Sequence, residues 1–159
     1  MSRSVASRSK PTERSPRSSS LPSATDERSR PRRDFLFAYG TLMRGYARHR
    51  VLGPGSAFLG QGAVRGKLLD LGRYPGLVGG RGNVRGEIYR LDDPELLPVL
   101  DREEGYNFER RRAIVTFASG RRARAWVYRY RGSQNRAVFI PDGDYRRAHP
   151  RTTGERQWR

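Results

Sequence analysis

Between Asp34 and Tyr145 the chain carries a single stretch with helical spacing, set among many short apolar segments cut by glycine. No other feature restricts the fold as much. The helical stretch opens at Asp92-Asp93-Pro94-Glu95, with carboxylates to cap free amides and a proline suited to a first turn. Leu96, Leu97 and Leu100 then mark one face, Pro98 is expected to distort its early part, and Gly105 supplies the stop. Strands are expected over residues 35–39, 57–71, 84–91, 113–117, 122–130 and 137–140, with a short helical piece around 45–51. Gly60, Gly62 and Gly66 predict bends or bulges inside the second of these. Tyr74-Pro75-Gly76 reads as a turn, and Gly79-Gly80-Arg81-Gly82-Asn83 as the loop of a hairpin. Trp126, Tyr128 and Tyr130 share one face of their strand by period two. Many short strands with one clear helix predict an α+β domain built round a curled or closed mixed sheet.

The ends of the chain read differently. Residues 1–33 hold nine basic and three acidic side chains, many serines and prolines, and little apolar beyond Val5 and Leu21. Such a segment cannot bury enough surface to offset its ordering entropy, so a disordered basic leader is expected before a domain over residues 34–145. A basic tail follows over residues 146–159, with fraying expected from Tyr145. The formal net charge of +17 comes from 31 arginines and only 2 lysines, and it predicts non-specific adhesion to nucleic acid at low salt, mainly through the leader.

Cysteine is absent, which excludes disulfides, thiolate nucleophiles and cysteine-based zinc sites. His49 and His149 lie at no metal-ligand spacing, so neither a metal nor another cofactor is expected. No segment approaches the roughly twenty apolar residues of a membrane-spanning helix, and a cytoplasmic location is expected.

Chemistry concentrates in two places. Phe35-Leu36-Phe37-Ala38-Tyr39 reads as a buried strand ending in Gly40-Thr41-Leu42, where the backbone can approach a ligand with no Cβ in the way. The amides of residues 40–42 could form a nest for a carboxylate or a developing oxyanion, and Thr41 could add a hydroxyl. The same residues also fit a core strand that happens to end in a glycine turn. The second place is Leu100-Asp101-Arg102-Glu103-Glu104-Gly105-Tyr106, at the end of the helix. Glu103 and Glu104 both flank the leucine stripe, so helical spacing does not choose cleanly between them; Glu104, seven after Leu97 and four after Leu100, leans slightly further inward. Partial burial at the negative end of a helix dipole raises a carboxyl pKa toward the range useful for proton transfer. Both glutamates also fit solvated charges facing nearby arginines.

Two other patterns carry less. Gly80-x-Gly82-x-x-x-Gly86 does not match a dinucleotide loop, and a strand rather than a helix follows it. Arg121, Arg122 and Arg124 beside Trp126 and Tyr128 fit either a nucleic-acid surface or a strand with solvated arginines on one face and buried aromatics on the other. The second is favoured.

Five motifs in order resemble the γ-glutamylcyclotransferase-like superfamily, in its bacterial γ-glutamylamine cyclotransferase-like branch. They are Tyr39-Gly40-Thr41-Leu42, Tyr74-Pro75-Gly76-Leu77, Val84-Arg85-Gly86-Glu87-Ile88-Tyr89, Leu100-Asp101 with Glu104-Gly105-Tyr106, and Ala125-Trp126-Val127-Tyr128. One departure is Phe108 before Arg110, Arg111 and Arg112, where many relatives have Tyr-x-Arg. The resemblance implies a small mixed β-barrel with a few helices at its side. It implies Glu104 as catalytic acid and base, a substrate cradle at Tyr39, Gly40, Thr41 and Leu42, and a small γ-glutamyl substrate cyclised to 5-oxoproline without metal or cofactor. Two other readings stay open on the sequence: a non-catalytic member of the fold that binds small metabolites or a partner, and a basic nucleic-acid-associated protein.

Overall fold

The computed structural model describes residues 33–150. The leader, apart from Arg33, and the tail beyond residue 150 lie outside the described residues.

Strand β1 (Asp34–Ala38) explains the first apolar run. Leu36, Phe37, Ala38 and Tyr39 are buried one after another, as happens when a strand has neighbours on both edges and cover on both faces. It pairs antiparallel with β3 (Pro75–Leu91) and parallel with β5 (Arg122–Tyr130), where Leu36 lies opposite Trp126. Strand β2 (Ser56–Asp70) runs antiparallel to β3, and β4 (Phe108–Phe117) runs antiparallel to both β2 and β5. The pairings β1–β3–β2–β4–β5–β1 close a five-stranded mixed barrel, and a short β6 (Val138–Ile140) extends the far end of β2. Leu36, Val64, Leu68, Val84, Ile88, Val115 and Val127 fill the core. This is the α+β mixed barrel that the glycine-cut strands predict.

The strand breaks fall where glycine allows them, with one displacement. Register shifts occur between Phe58 and Gly60 and between Arg65 and Lys67, so two of the three expected glycine sites are irregular. The glycine run at 79–83 is not a hairpin loop. The chain reverses earlier, over residues 71–74, where the Leu71 amide donates to the Tyr74 carbonyl at 3.0 Å, and Pro75 already starts β3. Val78 then pairs with Lys67 and Asn83 with Arg65, so residues 79–82 bulge out of β3 opposite Gly66 alone. Three of its four residues are glycines, which can crowd into such an excursion without breaking the strand on either side.

Helix α1 (Leu96–Glu104) lies against the barrel through Leu96 and Leu100, with Leu97 partly buried. The Asp93 carboxylate accepts the Glu95 amide at 2.9 Å, and Gly105, at φ 70°, ends the helix with its amide on the Asp101 carbonyl. Pro98 distorts nothing, because the helix starts at Leu96. Its missing N–H falls among the first-turn amides that have no partner in any helix. The last turn of α1 is fastened to the barrel wall. The Tyr128 hydroxyl donates to Asp101 at 2.7 Å, and Arg110 meets the same carboxylate at 3.0 Å.

Two further expectations are corrected. Arginines and aromatics do not occupy opposite faces of β5: the unbroken register with β4 puts Arg122, Arg124, Trp126 and Tyr128 on one face. Position along the strand separates them. The arginines sit at its exposed start, Trp126 lies against the guanidinium groups of Arg110 and Arg112, and Tyr128 is buried. The chain is also not frayed from Tyr145. Asp144 caps a helical turn, α2 (Tyr145–Ala148), by accepting the Arg146 amide at 3.0 Å. Tyr145 is buried, Arg146 pairs with Glu87, and His149 Nε2 lies 2.6 Å from Asp70. Composition hid this, because one aromatic, the Arg146–Glu87 ion pair and the His149–Asp70 hydrogen bond anchor a stretch that otherwise looks solvated.

Candidate active site

A slit opens where β1 ends. Its walls are Phe37 to Leu42, Arg48, Tyr74 and Pro75, Glu104, Phe108 and Tyr128. The structure thus brings together all five residues singled out from the sequence, from two segments far apart in the chain. Arg48 and Tyr128 complete it. Neither was selected as a site residue, since one is among many arginines and the other looked like a core aromatic.

The loop after β1 is held from several sides. The Met43 amide donates to the Gly40 carbonyl at 3.0 Å and the Arg48 amide to the Thr41 carbonyl at 3.2 Å. His49 Nδ1 lies 2.9 Å from the Leu42 carbonyl, an acceptor, so that nitrogen carries the proton. A 3-10 helix (Ala47–Val51) carries Arg48 and His49. The amides of Thr41 and Leu42, by contrast, have no acceptor among the described residues. Unpaired successive amides are the parts of an anion nest.

Gly40 is required by space. A Cβ there would stand 2.5 Å from Pro75 Cγ and 2.8 Å from Cδ, so the loop is pressed onto the turn that opens β3. Gly40→Ala is expected to lower stability by about 1–3 kcal/mol, as overpacking does. Thermal unfolding beside Gly79→Ala checks it. A Cβ at Gly79 meets only the end of the Arg129 side chain, at 3.7 Å, so that variant should melt near the wild-type temperature.

Tyr39 lines the slit. Its hydroxyl donates to the Tyr128 carbonyl at 2.6 Å and accepts the Leu77 amide at 3.2 Å. Burial pushes its pKa far up, so it stays protonated and fixes β1 to β3 and β5. Phe108 packs between Tyr74 and Tyr130, so an aromatic ring fills its place without a phenol.

Glu104 is the carboxylate that faces the slit; its side chain is 8% exposed, while Glu103 is exposed to solvent. Burial raises the Glu104 pKa above the ordinary carboxyl value, Arg48 opposes that rise, and Glu103 adds to it. The Arg48 contact is long: Nη1 lies 3.4 Å from Oε1. The barrel also has a larger groove, about 740 Å³, lined by Arg65, Arg85, Arg122 and Arg129 among others. Its lining includes no carboxylate and one hydroxyl, that of Thr116, whereas the slit holds Glu104.

Residues 36–147 match the family described as "Gamma-glutamyl cyclotransferase, AIG2-like". The chain belongs to the γ-glutamylcyclotransferase family. A Vibrio cholerae protein provisionally named as a γ-glutamylcyclotransferase is 38% identical over 112 residues, which span 69% of this chain and 93% of that one. The γ-L-glutamyl-butirosin B γ-glutamyl cyclotransferase of Niallia circulans is 28% identical over 131 residues, 77% of this chain and 83% of that one. Among solved structures, an uncharacterised protein of Pyrococcus horikoshii superposes with a TM-score of 0.60 at 28% identity, covering 72% of this chain and 92% of the other. By this family resemblance the chain is an enzyme of the γ-glutamylcyclotransferase type. The fold shows what its motifs do locally. Tyr74-Pro75 closes the slit against Gly40, and Glu87 and Tyr89 of the Val84–Tyr89 motif hold the loop that follows Leu42.

Proposed function

We propose that this γ-glutamylcyclotransferase family member converts a small γ-glutamyl amide to 5-oxoproline and a free amine, with Glu104 as the proton shuttle. The observation that carries this reading is Glu104 itself: a buried carboxyl of raised pKa in the slit that Thr41 and Leu42 also line, whose amides have no acceptor among the described residues. The substrate's α-ammonium gives a proton to Glu104, and the freed amine attacks the γ-carbonyl carbon. The new C–N bond closes a five-membered ring, while the carbonyl oxygen gains negative charge beside the Thr41 and Leu42 amides. Glu104 returns the proton to the departing nitrogen, the C–N bond to the leaving amine breaks and the carbonyl re-forms; the ring nitrogen gives up its second proton through the same carboxylate, and the released amine carries it away as an ammonium. Attacking and leaving groups belong to one molecule, so fixing a folded substrate conformer supplies much of the acceleration.

One carboxyl that both takes and returns a proton works best when its pKa lies near the working pH, and burial moves Glu104 that way. The leaving group is a small amine or peptide. The Niallia circulans relative is named for removing a γ-glutamyl group from butirosin B, which makes amines a class to screen beside peptides. Purified protein should release 5-oxoproline and amine in equal amounts from at least one member of a panel of γ-glutamyl peptides, γ-glutamyl-lysine and γ-glutamyl aminoglycosides. Release of glutamate in place of 5-oxoproline would sink the cyclisation, and no turnover across the panel would favour a binding role.

A further inference from the structure

Arg48 occupies an unusual position for a structural arginine. It reaches into the slit from the 3-10 helix, with its side chain 28% exposed. Nη1 makes the long contact to Glu104, while Nη2 is buried with no hydrogen-bond partner among the described residues. A buried guanidinium nitrogen without an acceptor costs stability, and such groups in native proteins call for an explanation. The slit itself is narrow, holding about 30 Å³. A glutamyl head group therefore needs room that the Arg48–Glu104 pair now takes.

We propose that Arg48 is the receptor for the substrate's α-carboxylate and that binding exchanges the Arg48–Glu104 pair for two pairs with the substrate. This rests on the reading of Glu104 as the group that meets the α-amine. An α-amino acid carries its ammonium and its carboxylate on one carbon, so their receptors must be an anion and a cation side by side. Arg48 and Glu104, 3.4 Å apart, are such a pair. In the empty site each screens the other. With substrate bound, the α-ammonium sits on Glu104 and the α-carboxylate takes Arg48, including the unpaired Nη2. The planar guanidinium can meet a carboxylate with two parallel hydrogen bonds, a geometry lysine lacks. Thr41 and Leu42 amides are thereby left for the γ-carbonyl oxygen. The exchange also makes the site selective for glutamyl groups whose α-amine and α-carboxylate are both free.

The test measures binding of 5-oxoproline and of its carboxamide, 5-oxoprolinamide, to wild type, Arg48→Lys and Arg48→Gln, with turnover of the best panel substrate followed alongside. Wild type should prefer 5-oxoproline over the carboxamide by about ten- to a hundred-fold, the effect of one or two charge-assisted hydrogen bonds. Arg48→Gln should lose that preference and raise KM more than it lowers kcat, and Arg48→Lys should restore part of it. Melting curves of the three proteins exclude misfolding as the cause. If Arg48→Gln keeps the carboxylate preference, Arg48 is only a partner of Glu104 and the proposal is overturned, while turnover by wild type leaves the cyclisation standing. If wild type turns over γ-glutamyl amides without preferring 5-oxoproline, the proposal is again overturned. Absence of both turnover and 5-oxoproline binding would overturn the two readings together.

Discussion

Glu104→Gln should abolish 5-oxoproline formation while leaving the fold intact. The amide is nearly isosteric with the carboxyl and can still accept from Arg48, so the end of α1 keeps its packing on Leu100. It cannot take a proton from the α-ammonium and return it to the leaving nitrogen. General acid–base catalysis contributes on the order of a hundred- to ten-thousand-fold, and that is the expected loss in kcat/KM. Glu103→Gln is the internal control: it removes the same charge one residue earlier, from a solvent-exposed side chain, and a several-fold effect at most is expected. The stability of Glu104→Gln carries a sign that checks the electrostatics. The folded-state pKa of Glu104 is raised, so the folded protein binds this proton more tightly than the unfolded chain. Stability from this group is present at low pH and is lost as pH rises from the ordinary carboxyl value through the raised one. Above that window the charged form is the disfavoured one, and Glu104→Gln should melt no lower than wild type. Near-full turnover by Glu104→Gln, or a dead Glu103→Gln, would show that the shuttle is assigned to the wrong carboxyl.

Much of this arrangement was legible because apolar periodicity and glycine report directly on backbone geometry. The run from Phe35 to Tyr39 has no polar alternation, and it became the strand buried on both faces. The stripe of Leu96, Leu97 and Leu100 set the face of α1; helical spacing leaned only slightly toward Glu104 over Glu103, and the family resemblance made the choice. Glycine placement was legible only as punctuation. Nothing local distinguishes a hairpin loop at residues 79–83 from a bulge opposite Gly66, since the choice depends on which β2 residues pair with Val78 and Asn83. Arginine defeated sequence reading most. With 31 of them in the chain, composition cannot single out Arg48 in the slit or Arg146 on Glu87, and only the tertiary fold brings either to its carboxylate. Glu87 was quoted only as part of a motif for the same reason: its partners come from a loop, a strand neighbour and the end of the chain.

Replacing Glu87 should therefore produce the largest loss of stability among single carboxylates. Glu87 is 2% exposed, and it accepts hydrogen bonds from the Tyr89 hydroxyl, from the Arg44 amide at 3.2 Å and from the Arg146 guanidinium. Arg146 also donates to the Arg44 carbonyl at 2.8 Å, so one carboxylate joins β3, the loop after Leu42 and helix α2. Glu87→Ala leaves the buried Tyr89 hydroxyl and the Arg44 amide without acceptors, at about 1–3 kcal/mol for each orphaned donor. The expected total of roughly 2–6 kcal/mol lowers Tm by well over five degrees in a domain of this size. Glu87→Gln should fall between, because an amide oxygen can serve some of the donors but cannot pair with Arg146. The pH dependence runs opposite to that of Glu104. Burial pushes the Glu87 pKa up, but Tyr89, the Arg44 amide and Arg146 outweigh it and leave the carboxyl below its ordinary value. Its contribution is complete above the ordinary carboxyl pKa and is lost as pH falls through the lowered one. Wild type should lose stability toward acid across that window, and Glu87→Ala should lose less over the same range. Since Glu87 itself does not line the slit, 5-oxoproline formation by Glu87→Ala should recover at temperatures well below its Tm. A variant that melts like wild type yet stays inactive in the cold would move Glu87 from anchoring the loop to taking part in the chemistry.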